Sequence, residues 1–79
     1  MKKILVTGGA GYLGSHVVKQ LLDSDYKVRV LDDLSFGQVG LKKVKSNSNF
    51  ELIKGDIRDL QSVLKSMDGV DGVIHLAAE

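Results

Sequence analysis

At 79 residues the chain is long enough for one small domain, residues 1–79, with a thin core. Eleven lysines and arginines against ten aspartates and glutamates leave a formal charge of +1, so neither nucleic acid nor an anionic membrane is expected as a partner. Hydrophobic residues make up 43% and charged residues 27%, a balance that argues against disorder and against a membrane span. The absence of cysteine excludes disulfides, thiolate chemistry and Cys-based zinc sites, and with two histidines no metal site is expected. The start "MKKILV" is too short an apolar run for a signal peptide, because it breaks into glycines after Val6. A cytoplasmic chain that begins directly on a strand is the expectation. There is no proline, no repeat and no linker composition.

Lys3–Thr7 is a short apolar and β-branched run that ends at glycine, which predicts a buried strand. From Tyr12 onward Leu13, Val17, Val18, Leu21 and Leu22 draw one face of a helix that should stop near Asp23–Asp25. Lys27–Leu31 reads as a second strand, closed by Asp32 and Asp33. Residues 35–49 read as a loop with one or two weak helical turns around 38–46, its lysines forming a solvated face. Phe50–Lys54 is a third strand. Asp59 is placed to cap a short amphipathic helix carrying Leu60, Val63, Leu64 and Met67, which Gly69 closes. A fourth strand lies within Val70–Ala78. Strands alternating with helices at this spacing predict an α/β fold with right-handed crossovers and a parallel sheet.

The densest signal is "TGGAGYLG", which places Gly8, Gly11 and Gly14 at three-residue spacing between a strand and a helix. Each has a physical use: Gly8 for the tight turn out of the strand, Gly11 for close approach of a phosphate to the backbone, Gly14 for close packing of helix on sheet. The helix N-terminus adds unpaired N–H groups and the positive end of the dipole. Alone, such a run also suits a plain turn. The acidic pair Asp32-Asp33 after the second strand sharpens it, because a carboxylate there can accept both ribose hydroxyls of an adenosine and would repel a 2′-phosphate. The ligand this pattern favours is NAD rather than NADP. His75, among apolar residues on a strand, reads as a packed core residue, and His16 as a surface or packing residue.

The motifs "TGGAGYLGSH", "VLDDLS", "GDIRD" and "VIHLAA", in this order and spacing, resemble the extended short-chain dehydrogenase/reductase family, in particular its NAD-dependent nucleotide-sugar epimerases and dehydratases. They span nearly the whole chain but only the N-terminal part of the family's. The resemblance implies the N-terminal half of a Rossmann-type fold: about four parallel strands in the order 3-2-1-4 with flanking helices. It implies that Gly8, Gly11 and Gly14 form the glycine fingerprint, with the backbone of Tyr12 and Leu13 meeting the pyrophosphate. Asp32, with Asp33 beside it, matches the ribose-binding acid. Ser35 and Gly37 fall where the family's loop touches the adenosine side. Asp56 and Ile57 match the step that contacts the adenine edge, and Leu76, Ala77 and Ala78 the strand end under the central and nicotinamide riboses.

The family's chemistry rests on a Tyr-x-x-x-Lys pair with a nearby Ser or Thr. The tyrosines here, Tyr12 and Tyr26, are followed four residues later by His16 and Val30. No catalytic residue is therefore assigned, and the chain alone is expected to bind an adenosine-containing nucleotide weakly without turnover. Two alternatives stand beside this reading: an enzyme half that works with a complementary chain, or a self-assembling fragment that binds no nucleotide. Strand four would be an open apolar edge next to a half-bare face, which predicts self-association.

Overall fold

The apolar run of Lys3–Thr7 forms the strand β1, and Tyr12–Asp23 forms the helix α1. The strand β2 spans Lys27–Asp32 and β3 spans Phe50–Lys54. The helix α2 covers Leu60–Met67 and the strand β4 Gly72–His75. The computed structural model describes residues 1–34 and 39–76. All pairings are parallel, and the strand order is β3-β2-β1-β4. The helical turns expected within 38–46 reduce, among the described residues, to one 3₁₀ turn at Val39–Leu41 followed by hydrogen-bonded turns.

The two faces of the sheet are covered unequally. On one face Val6, Val28 and Val30 meet Val18 and Leu22 of α1 together with Leu41 and Val44. Val6, Val18, Val30 and Leu41 are wholly buried, and each such side chain contributes about 1.5–3 kcal/mol relative to exposure. The segment read as a loop with one or two weak helical turns thus supplies two core residues, while Lys42, Lys43 and Lys45 around them point to solvent. Helix α1 ends in a Schellman arrangement: Tyr26 N–H donates to Leu21 O at 3.1 Å and Asp25 N–H to Leu22 O at 3.2 Å. Asp25 takes the left-handed position, φ 68°, that glycine usually fills.

The other face carries α2, and Arg29 ties it down. This residue is 9% exposed. Its Nη1 donates to Ser66 O at 2.6 Å and Asp68 O at 2.7 Å, and its Nε donates to Glu51 at 2.9 Å. The guanidinium thus meets the carbonyl-rich C-terminal end of α2, where a positive charge is favoured. Helix α2 lies over β2 and leaves β4 uncovered, so Val73 stays 47% exposed. The same placement corrects the expectation for His75. It is exposed rather than packed in the core, with Nδ1 2.6 Å from Thr7 Oγ1.

Between β3 and α2, Asp56 forms a local turn in which its carboxylate accepts from the Arg58 N–H at 2.8 Å and from Arg58 Nη2 at 2.7 Å. The Arg58 side-chain bonds, then its backbone bond, hold the Asp56 carboxyl at about 2, below the ordinary 3.8. Asp59 caps α2, accepting from Gln61 N–H, and Ser62 Oγ donates to the same carboxylate.

Arg29→Met keeps the apolar stem and removes the donors. It should lower the unfolding free energy by about 2–3 kcal/mol, because the buried Ser66 carbonyl and the part-buried Asp68 carbonyl lose their partner, and the Tm by roughly 10–15 °C. A loss under about 0.5 kcal/mol in urea denaturation would contradict this role. For Asp56 the folded-state pKa is depressed, so its turn contributes stability that is present above pH 3.8 and fades as pH falls through about 2. A carboxyl-detected NMR titration should place its midpoint near 2 and move it upward in Arg58→Ala; an unmoved midpoint would contradict the assigned cause.

Candidate functional site

In a parallel sheet every strand delivers its carboxyl end to the same edge, and here backbone hydrogen bonds carry the alignment one residue beyond the strands. Gly8 N–H donates to Leu31 O at 2.9 Å, Gly55 N–H to Asp32 O at 3.0 Å, and Leu76 N–H to Thr7 O at 2.9 Å. Gly8, Asp32, Asp56 and Leu76 therefore stand at or next to neighbouring strand ends.

The glycines of this edge answer to different constraints. Gly8 has φ 78°, a left-handed turn that sends the chain off β1. A Cβ on Gly14 would stand 2.4 Å from Gly8 O, so only glycine lets α1 lie this close to the turn. Gly11 differs from both. Its φ is −74°, and a Cβ there would meet nothing nearer than Gly8 O at 3.7 Å. No steric demand within the described residues asks for glycine at that position.

Gly11 is also the N-cap of α1, without a side-chain cap, and the first turn holds no acidic residue. The first N–H groups of a helix have no intrahelical partner, and the dipole puts its positive end there. Helix α2, by contrast, is capped by Asp59. Tyr12 and Leu13, 85% and 64% exposed, flank this uncapped end, with the Tyr12 ring edge-on to His16 at 4.9 Å. Asp32, half-buried, faces the same loop: its Oδ2 accepts from Ala10 N–H at 3.0 Å and its Oδ1 from Leu34 N–H at 2.8 Å. Asp33 is exposed.

The structure thus gathers Gly8, Gly11, Tyr12, Leu13, Gly14 and Asp32 at one place. Asp56 lies one strand further out with its carboxylate turned onto Arg58. Ile57 instead lines a groove of about 450 Å³ on the α2 face, with Leu5, Val63, Met67 and Val73. Ser35, Gly37, Ala77 and Ala78 lie outside the described residues. Sequence reasoning gave no role to Gly9 or Ala10. A Cβ on Gly9 would strike Val30 at 2.7 Å, and Ala10 is 7% exposed and bonded to Asp32. The doubled glycine in "TGGAG" was the available signal for Gly9. Among the described residues no cluster of three or more His, Asp or Glu could hold a metal, and no helix is long and apolar enough to cross a membrane.

Known proteins share this arrangement. Residues 4–79 match the NAD dependent epimerase/dehydratase family. The UDP-glucose 4-epimerase of Neisseria meningitidis serogroup B is 42% identical over 82 residues, covering 98% of this chain and 24% of that protein. The dTDP-glucose 4,6-dehydratase of Bacillus anthracis, solved in complex with NAD, superposes with a TM-score of 0.85 at 35% identity, over 100% of this chain and 27% of that one. The UDP-glucose 4-epimerase of Thermus thermophilus, also a complex with NAD, gives 0.79 at 34% identity, over 98% and 24%. The chain spans between 13 and 24% of the length of such curated relatives. Its sheet is the N-terminal part of their Rossmann fold, and the chain belongs to the NAD dependent epimerase/dehydratase family.

Proposed function

We propose that these residues form the adenosine and pyrophosphate side of an NAD site. The observation that carries the reading is the uncapped N-terminus of α1 at Gly11, where a Cβ would clash with nothing, beside the Asp32 carboxylate. Free backbone donors at a helix N-terminus suit a diphosphate. Each Asp32 oxygen already accepts one N–H and keeps a lone pair for a ribose hydroxyl. In this reading Gly8 and Gly14 shape the cradle, Gly11 lets the pyrophosphate approach while its own N–H stays on Gly8 O, Tyr12 and Leu13 present amides to the pyrophosphate, and Asp32 holds the ribose with Asp33 adding negative charge. By the family resemblance, Asp56 and the backbone of Ile57 are assigned to the adenine edge and Leu76 to the strand end under the central and nicotinamide riboses. NAD complexes of the dehydratase and the epimerase support the choice of cofactor.

The sequence given carries no Tyr-x-x-x-Lys pair, so by itself it is proposed to bind in the cytoplasm without turning over a nucleotide sugar. Isothermal titration of the folded chain should show one site for NAD with a Kd of about 0.1–1 mM. ADP-ribose should bind about equally, and NADP at least about tenfold more weakly, because its 2′-phosphate meets Asp32. Gly11→Val should abolish binding while leaving the fold intact. A folded sample that binds neither NAD nor ADP-ribose overturns the reading.

A second reading rests on a different observation: Leu60, Leu64, Met67 and Val73 are all substantially exposed on the α2 side, and β4 pairs only with β1 among the described residues. We propose that two copies associate through this face and edge. Sedimentation equilibrium should show a concentration-dependent dimer that Val73→Lys weakens, and a monomer at every concentration would refute it.

A further inference from the structure

Asp32 is placed to do more than meet a ribose. Its Oδ2 reaches back across 22 positions in sequence to the Ala10 N–H at 3.0 Å, in the middle of the glycine loop. Ala10 is 7% exposed and Gly9 lies against Val30, so this amide has little access to water and needs an acceptor from the protein. The other oxygen, Oδ1, accepts from Leu34 N–H at 2.8 Å. Leu34 has φ 62°, a left-handed conformation that a leucine takes only where its surroundings impose it. One carboxylate therefore joins the loop after β1 to the turn after β2.

We propose that Asp32 is a positioning residue for the phosphate cradle, holding the Gly8–Gly11 loop in its binding shape before any ligand arrives. The proposal rests on the nucleotide-binding reading above but assigns Asp32 a role toward phosphates it does not touch. It follows that a neutral residue at position 32, chosen to admit a 2′-phosphate, also releases the loop. Asp32→Asn isolates the effect. Its single side-chain oxygen can keep the local bond to Leu34, and its amide then presents a donor to the Ala10 N–H, itself a donor.

The test uses the 79-residue chain and inorganic pyrophosphate, which has no ribose. Electrostatics alone predicts that removing a negative charge strengthens pyrophosphate binding. The positioning role predicts the opposite: about threefold or greater weakening in Asp32→Asn, with the Ala10 amide exchanging at least about tenfold faster and the core amides Val6 and Val30 unchanged. Pyrophosphate binding that is equal or tighter, or Ala10 exchange that does not change, overturns the proposal. If wild type binds neither pyrophosphate nor NAD, the nucleotide reading fails and, with it, the role toward phosphates. Should Asp32→Asn not fold, the scalar coupling between Ala10 ¹⁵N and Asp32 ¹³Cγ in wild type decides. Its detection together with a protected Ala10 amide supports the clamp, and its absence with unprotected exchange removes it.

Discussion

The contact between Gly14 and the Gly8 carbonyl is the constraint on which the rest of this structure depends. A methyl group at Gly14 would stand 2.4 Å from that oxygen. Helix α1 would have to lift or slide, and Val18 and Leu22 would leave Val6 and Val30, which make up much of the core. The same close seating brings the N-terminus of α1 to the carboxyl edge of the sheet, next to Asp32. Helix packing and the placement of the α1 N-terminus at the sheet edge are thus set by one approach of backbone to backbone, and a side chain at Gly14 would disturb both.

Both faces of the sheet bury apolar side chains, and one of them adds a charged clamp. The α1 face is held by nonpolar burial, with Leu41 and Val44 closing it from a segment that has little regular structure. The α2 face buries Leu5 and Leu31 and adds a charged clamp in which Arg29 bonds two carbonyls at the end of a short helix and pairs with Glu51. An eight-residue helix is marginal alone, and it seats here through that clamp and through Asp59 at its other end. Covering β2 but not β4, it leaves Val73 and His75 exposed.

Much of the fold was legible because it is written in local periods. The bounds of β1, β3 and α2 follow from runs of apolar residues and from Asp59 and Gly69, and the strand order follows from the resemblance to a known family. What escaped depends on contacts distant in sequence. The lysine-rich composition of residues 42–45 hid the burial of Leu41 and Val44, since two apolar residues three apart carry no period of their own. His75 looked like core because its neighbours are apolar, yet strand alternation turns it to the uncovered face. At the site, the spacing of the glycines and of Asp32 was readable, whereas the bond from Asp32 to Ala10 joins residues whose meeting only the parallel pairing of β1 and β2 creates.

The most direct test of this account is an amide chemical-shift map of the folded chain titrated with NAD. Saturable shifts at Gly11, Tyr12, Leu13 and the Asp32–Leu34 turn, with the α2 groove around Val63 and Met67 unmoved, are the predicted result. Shifts centred on that groove, or none along the carboxyl edge, would contradict the claim that the α1 N-terminus and Asp32 form the nucleotide cradle.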